Sequence, residues 1–330
     1  MRLSLSFALA AVFLGGAGHG ALALDCARAS APLEKAICAD PAAQAADDGM
    51  GKAYAALAAS LSPAHRGALI ISQRRWIELR GNLCSGEKDQ GDAACALKMT
   101  REREAFLSGR PESGPGAPPG FAALFVQHVG KDGEYDIGVD ALKYVDPARK
   151  GEAAFNARID KLLKDAPAIR DKDIPKDRTY TYFLDVAATY ASDKFVSAKA
   201  FVYEYSGGAH GNSGTSAFAF DVASGRELKF DDMFAADART RLVDGCFAQI
   251  EAQRREKGGD DDPSGPFGPD AIKKSVGEGV ADLSQWSFYA DRGAVNFDPY
   301  AVGSYAEGSY SCEFPLDVLK PLLKYDYVSP

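Results

Sequence analysis

Beyond residue 24 the chain has three histidines, His65, His128 and His210, and only His210 sits where chemistry is conceivable, in the glycine-rich "YEYSGGAHGNSG" of residues 203–214. An imidazole can move a proton near neutral pH or hold a metal, and either task needs partners. No H-x-x-x-H, H-x-x-E-H or C-x-x-C spacing offers metal ligands. No G-x-S-x-G elbow, Walker loop or dinucleotide glycine pattern offers a nucleophile or a phosphate cradle. Six cysteines follow residue 24, Cys26, Cys38, Cys84, Cys95, Cys246 and Cys312, and an even count in an oxidising compartment predicts disulfides. A Cys–His nucleophile pair would then lack its thiol. The expectation is a chain with no catalytic residue, metal or cofactor, although pairs among its 46 Asp and Glu are not excluded by pattern.

Binding is what remains for the loop. Gly207 and Gly208 permit positive φ, while His210 and Asn212 can bond backbone groups across a turn. The plain reading is a histidine that pins a wide turn. The functional reading is a presented binding loop, with Tyr203, Tyr205, Gly207, Gly208, His210 and Asn212 as its contact residues. A second dense stretch, "QRRWIELRGNLC", places Gln73, Trp76, Arg80 and Cys84 on one side of a helix, beside an apolar stripe of Leu69, Ile77 and Leu83. Such a face is internal architecture, with contact of Trp76 or Arg80 to a ligand as the alternative. A buried guanidinium needs a partner, and Glu34 in "PLEKAIC" is the candidate for Arg80. "GGDDDPSG" at 258–265 lacks calcium-loop spacing and reads as a solvated loop.

The elements that must carry these residues change character along the chain. Met1-Arg2, the apolar run 3–14 and Ala21-Leu22-Ala23 have the layout of a secretory signal peptide, so residues 1–23 are expected to be removed on export to the periplasm or beyond. No later run is long enough to span a membrane, so membrane insertion of the mature chain is not expected. Residues 42–61 and 64–83 are rich in Ala, Leu and Arg and are separated by "SLSPAH", which predicts two antiparallel helices with Ser62 and Pro63 starting the second. The four nearby cysteines staple this small helical domain, 24–108, in any of three pairings. "GRPESGPGAPPG", residues 109–120, reads as a linker. Beyond it, 180–191, 194–205, 216–222 and 226–230 alternate with period two and predict antiparallel strands, the last two forming a hairpin. Helical spacing over 152–164 and 234–257 adds helices, and Cys246 with Cys312 closes a loop of about 66 residues. The fold class is α+β: a disulfide-stapled helical bundle, then residues 121–330 (subdomains 121–170 and 171–330) with helices on one face of an antiparallel sheet.

The whole chain has a net charge of −8, and residues 121–330, with 25 Lys+Arg against 34 Asp+Glu, carry all of the excess acidity, which disfavours nucleic acid and suits a basic partner.

Cys26, "LEKAIC", Asp40-Pro41, Asp47, Tyr54, Gln73, Trp76, Arg80, Cys84, Cys95 and Arg103 together resemble the N-terminal domain family of the lysozyme inhibitor LprI over about 26–107. "YDIGVDALKY" with "FNARIDKLL", then "YEYSGGAHGNSGTSAFAFDVASGRELKFDDMF" and "VNFDPYAVGSYAEGSYSCEFPLDVL", resemble the paired extracellular domains of the lysozyme-sensing anti-sigma factor RsiV, which also accompany some peptidoglycan deacetylases. Both resemblances imply a binder of lysozyme or of peptidoglycan. The sequence shows neither an anti-sigma segment nor a deacetylase domain, so signalling and deacetylation are not carried over. The expected partner is a lysozyme-type muramidase. The alternative is a peptidoglycan or glycan accessory that uses exposed aromatics such as Tyr203, Tyr205, Tyr300, Tyr305 and Tyr310.

Overall fold

The computed structural model describes residues 23–86, 90–115, 120–131, 134–166, 179–259 and 265–328. The expected leader lies outside these residues except for Ala23, as does the middle of the loop at 258–265.

Four helices come first: α1 Pro32–Ala39, α2 Pro41–Ser60, α3 Pro63–Leu83 and α4 Ala93–Leu107. Their starts are written locally. Asp40 accepts the N–H groups of Ala42 and Ala43 at 2.8 and 2.9 Å, Ser62 accepts that of His65, and Asp92 that of Cys95 at 3.0 Å. Pro41 and Pro63 occupy first helical positions, where a missing N–H costs nothing. Of the three possible pairings, the structure has Cys26–Cys38 and Cys84–Cys95.

A five-stranded sheet follows in the order β1 Phe121–Val129, β2 Tyr135–Tyr144, β3 Tyr180–Ala191, β4 Phe195–Tyr205 and β5 Asn212–Asp221. Its pairs are antiparallel except β2 with β3, which is parallel. The expected antiparallel sheet holds for three of its four pairs, and the parallel pair is a correction. The cause is α5, Lys150–Asp165, which lies between β2 and β3 in the chain and gives the crossover that parallel neighbours require. A second correction concerns 226–230. Only a single bridge, Glu227 to Phe220, forms there, because Asp232 caps the Lys229 N–H at 2.9 Å and starts the short helix α6, Phe230–Met233. Phe234 then lies extended against Leu323, so α7 starts at Ala238 and runs to Glu256. Next come α8 Pro269–Ala281, the three-stranded sheet β6 Trp286–Phe288, β7 Arg292–Phe297 and β8 Tyr310–Pro315, and α9 Leu316–Leu319. The Cys246–Cys312 disulfide ties α7 to β8.

Helix α5 takes one sheet face, with Phe155 and Ile159 fully buried and the Phe155 ring against Phe121, Tyr144 and Phe218. Burying such a phenylalanine is worth about 2–3 kcal/mol. Strand alternation puts Asp140, Asp185, Lys199 and Phe201 on the opposite face. There Ser72 of α3 and Arg103 of α4 bond Asp140, and further along the sheet Ser197 Oγ accepts the N–H of Phe288 at 3.3 Å. The N-terminal helices and the second sheet therefore share this face. Met50, Tyr54, Leu69 and Phe106 of the helices belong to the same apolar core as the five-stranded sheet. The described part of the Pro/Gly stretch is a pinned strap. Glu112 N–H donates to Ala188 at 2.9 Å, and Ser113 Oγ–H to the Thr189 carbonyl at 2.7 Å.

Candidate functional site: a braced loop and an adjoining cleft

Strand β4 ends at Tyr205, and the chain turns through Gly207 and Gly208 at φ of 99° and 114°, the region that glycine alone enters freely. Tyr205 O–H donates across the turn to the Gly208 carbonyl at 3.1 Å. The ring of Tyr203 fills the space above Gly211, where a Cβ would lie 2.5 Å from it, so this glycine is fixed by close approach. Asn212 is exposed and opens β5.

The partner of this loop comes from far along the chain. His210 lies flat on Tyr305, ring centroids 3.7 Å apart and planes 18° apart. Tyr305 O–H donates to the Gly211 carbonyl at 2.9 Å. Both carboxylate oxygens of Asp298 accept the Thr215 N–H at 2.9 Å. Tyr300 adopts φ of 72°, a left-handed conformation unfavourable for a tyrosine, and stands 57% exposed beside Tyr305. Glu307 fixes the turn that carries Tyr305. It accepts the Ser304 N–H at 2.7 Å, the Tyr310 O–H at 2.6 Å and Arg254 Nε at 3.2 Å. Burial alone would raise its pKa, but these bonds outweigh it and hold the carboxyl down to about 2. "SGGAHG" and "FDPYAVGSY" thus form one exposed patch in which His210, Tyr305 and Tyr300 present ring surface on a rigid base.

The polar members of the helical motif find partners within the fold. Arg80 Nη1 donates to Asp47 at 2.7 Å and to Thr100 at 2.9 Å, with its guanidinium over the Trp76 ring at 4.7 Å. Gln73 accepts from Arg103 Nε at 3.0 Å. The expected Glu34–Arg80 pair is corrected: Glu34 accepts the N–H groups of Ser30 and Ala31 and caps α1, leaving Asp47 as the buried acid one helix nearer. Those backbone bonds lower the Glu34 pKa.

Between α3 and strands β3 and β4 lies a cleft of about 760 Å³, walled by Leu79, Phe183, Phe201 and Tyr203. Arg75 lies over the Phe183 ring at 3.6 Å, and Phe183 stacks on Tyr203 at 6.1 Å. Asp185 stands on its floor, beside its register partner Asp140. Burial first, then the Asp140 charge, push the Asp185 carboxyl up to about 7. Sequence reasoning named Tyr203, for the loop, and missed the other cleft residues. A usable signal was Asp185 itself, a carboxylate in the middle of the apolar strand "TYFLDVAA".

Comparison with known proteins matches residues 26–107 to the family of the lysozyme inhibitor LprI and residues 139–213 to that of the deacetylase PdaC. No curated protein matches the chain. Among solved structures, a member of the DUF3298 family from Bacteroides fragilis is 17% identical with a TM-score of 0.42, over 64% of this chain and 95% of its own. A DUF3298 family protein from Pseudomonas aeruginosa is 18% identical with a TM-score of 0.43, over 63% of this chain and 95% of its own. This chain is thus similar to the lysozyme inhibitor LprI family through its helices, and to the deacetylase PdaC family from within β2 to the start of β5.

Proposed function

We propose that this chain is an extracytoplasmic protein that binds a lysozyme-type muramidase and inhibits or sequesters it, without catalysis of its own. The match of residues 26–107 to the LprI family carries this reading. Three disulfides suit an oxidising compartment. In this reading residues 1–23 are the export leader, 24–108 the LprI-like part and 121–330 the acidic part, joined through 109–120.

The contact surface we assign is the loop 206–214 with Tyr205, His210, Tyr300 and Tyr305. A projecting, pre-braced aromatic patch loses little freedom on binding and can enter a substrate cleft. The chain's net charge of −8 would speed encounter with a basic enzyme. Co-elution of the protein with lysozymes of several types at low salt, with residual muramidase activity measured, tests the proposal. Absence of any complex across the panel would remove it.

A further inference from the structure

The cleft behind α3 adjoins the patch through Tyr203 and Tyr205, and the reading above leaves its inner wall unused. A second cavity of about 220 Å³ lies beside it, the two sharing Arg75, Leu79, Asp185 and Phe201 as walls. At the bottom, Asp140 is 5% exposed. Its Oδ2 accepts from Ser72 and Arg103, while its Oδ1 meets no donor among the described residues. Arg75 bonds Gln127 and Asp136 through Nη2 and leaves Nε without an acceptor among them. Buried donors and acceptors are normally satisfied. These two atoms are themselves sealed from solvent, while the residues that carry them line neighbouring cavities, the larger within the size range of small-molecule sites.

The ligand class follows from what the lining rejects. Glu78, Asp136 and Asp185 in the cleft, with Glu102, Glu112 and Asp140 in its neighbour, disfavour a polyanion, and Arg74, Arg75, Arg103 and Lys199 disfavour a polycation. Charged groups on the floor disfavour an apolar guest. A ligand with flat C–H faces and a rim of both donors and acceptors fits the aromatic walls and the polar floor together. We propose that the cleft between α3 and strands β3 and β4 binds a neutral sugar chain, with Tyr203 as the stacking ring, Phe183 seating Arg75, and Arg75 and Asp185 as the hydrogen-bonding floor.

Trp76 lines the second cavity while Trp286, the other tryptophan, is fully buried, so tryptophan emission reports on this cleft. The test titrates the full chain with the β-linked tetramer of N-acetylglucosamine, following emission and heat. The expected result is saturable binding, weakened roughly tenfold or more by Phe183→Ala and by Asp185→Asn, and unchanged by Tyr300→Ala. Asp185→Asn keeps the shape of the site and removes a charge the fold disfavours, so it tests the cleft without unfolding the chain. No saturable signal up to about 10 mM, or equal affinity in both cleft variants and the parent, would overturn the proposal. So would loss of binding in Tyr300→Ala alone, which would assign the sugar to the patch. No lysozyme enters this experiment, so its outcome is separate from that of the muramidase reading.

Discussion

His210 and Tyr305, 95 positions apart in the chain, lie ring on ring at 3.7 Å, and this contact joins the glycine-rich turn to the turn held by Glu307. Beside the Tyr205 bond within the turn, a loop with two positive-φ glycines receives one stack and one hydrogen bond from the same tyrosine.

Tyr305→Ala removes both. Amide exchange over 206–211 is expected to rise by about tenfold or more, while α7 and the five-stranded sheet keep their protection. Tyr305→Phe, which keeps the ring, should loosen the loop less. Equal protection in parent and alanine variant would show that the stack does not brace the loop.

Asp298→Ala deletes the acceptor of the Thr215 N–H at the start of β5. A hydrogen bond to a charged group is worth about 1.5–3 kcal/mol, and denaturant unfolding should show a loss of this order. A change within about 0.3 kcal/mol would mean that the contact contributes nothing net.

The pH dependence has two opposite limbs. Glu307 has a depressed pKa in the fold, so its contribution is complete above the ordinary value of 4.5 and is lost as pH falls toward about 2. Glu307→Gln should therefore narrow the stability gap to the parent over that acid window. Asp185 is raised by burial and by Asp140, with Arg103 and Arg75 opposing, so the unfolded chain ionises it first. Stability falls as pH rises from about 4 to about 7 through this group. Asp185→Asn should be more stable than the parent at pH 8 and equal to it near pH 4. Thermal melts at the two pH values decide this.

Arg80 and Asp47 form a buried pair, with side chains 10% and 4% exposed. Asp47→Ala leaves the guanidinium with Thr100 alone and should cost about 3–5 kcal/mol. Arg80→Met with Asp47→Leu should recover much of that loss.

The sequence revealed elements more readily than contacts. β3 was legible to the residue because aromatic and β-branched side chains alternate over 180–191, and α3 because Ser62-Pro63 marks its start. β6 escaped because three residues, "WSF", carry no period. The parallel β2–β3 pair escaped because strand patterns hold no direction. Arg80 was correctly read as buried and paired, yet its acid was misassigned, since choosing Asp47 over Glu34 requires knowing which helix packs closer. His210 pointed to the loop. Its bracing partner Tyr305 lay in a stretch already read as aromatic, with nothing local to join the two.

The central claim is most directly tested by titrating residues 25–330 against a basic lysozyme at low salt, following complex formation and residual muramidase activity together. Saturable binding with falling activity, weakened by Tyr300→Ala and by Tyr305→Ala, is the predicted result. Full muramidase activity and no complex at a large excess of the protein would contradict it.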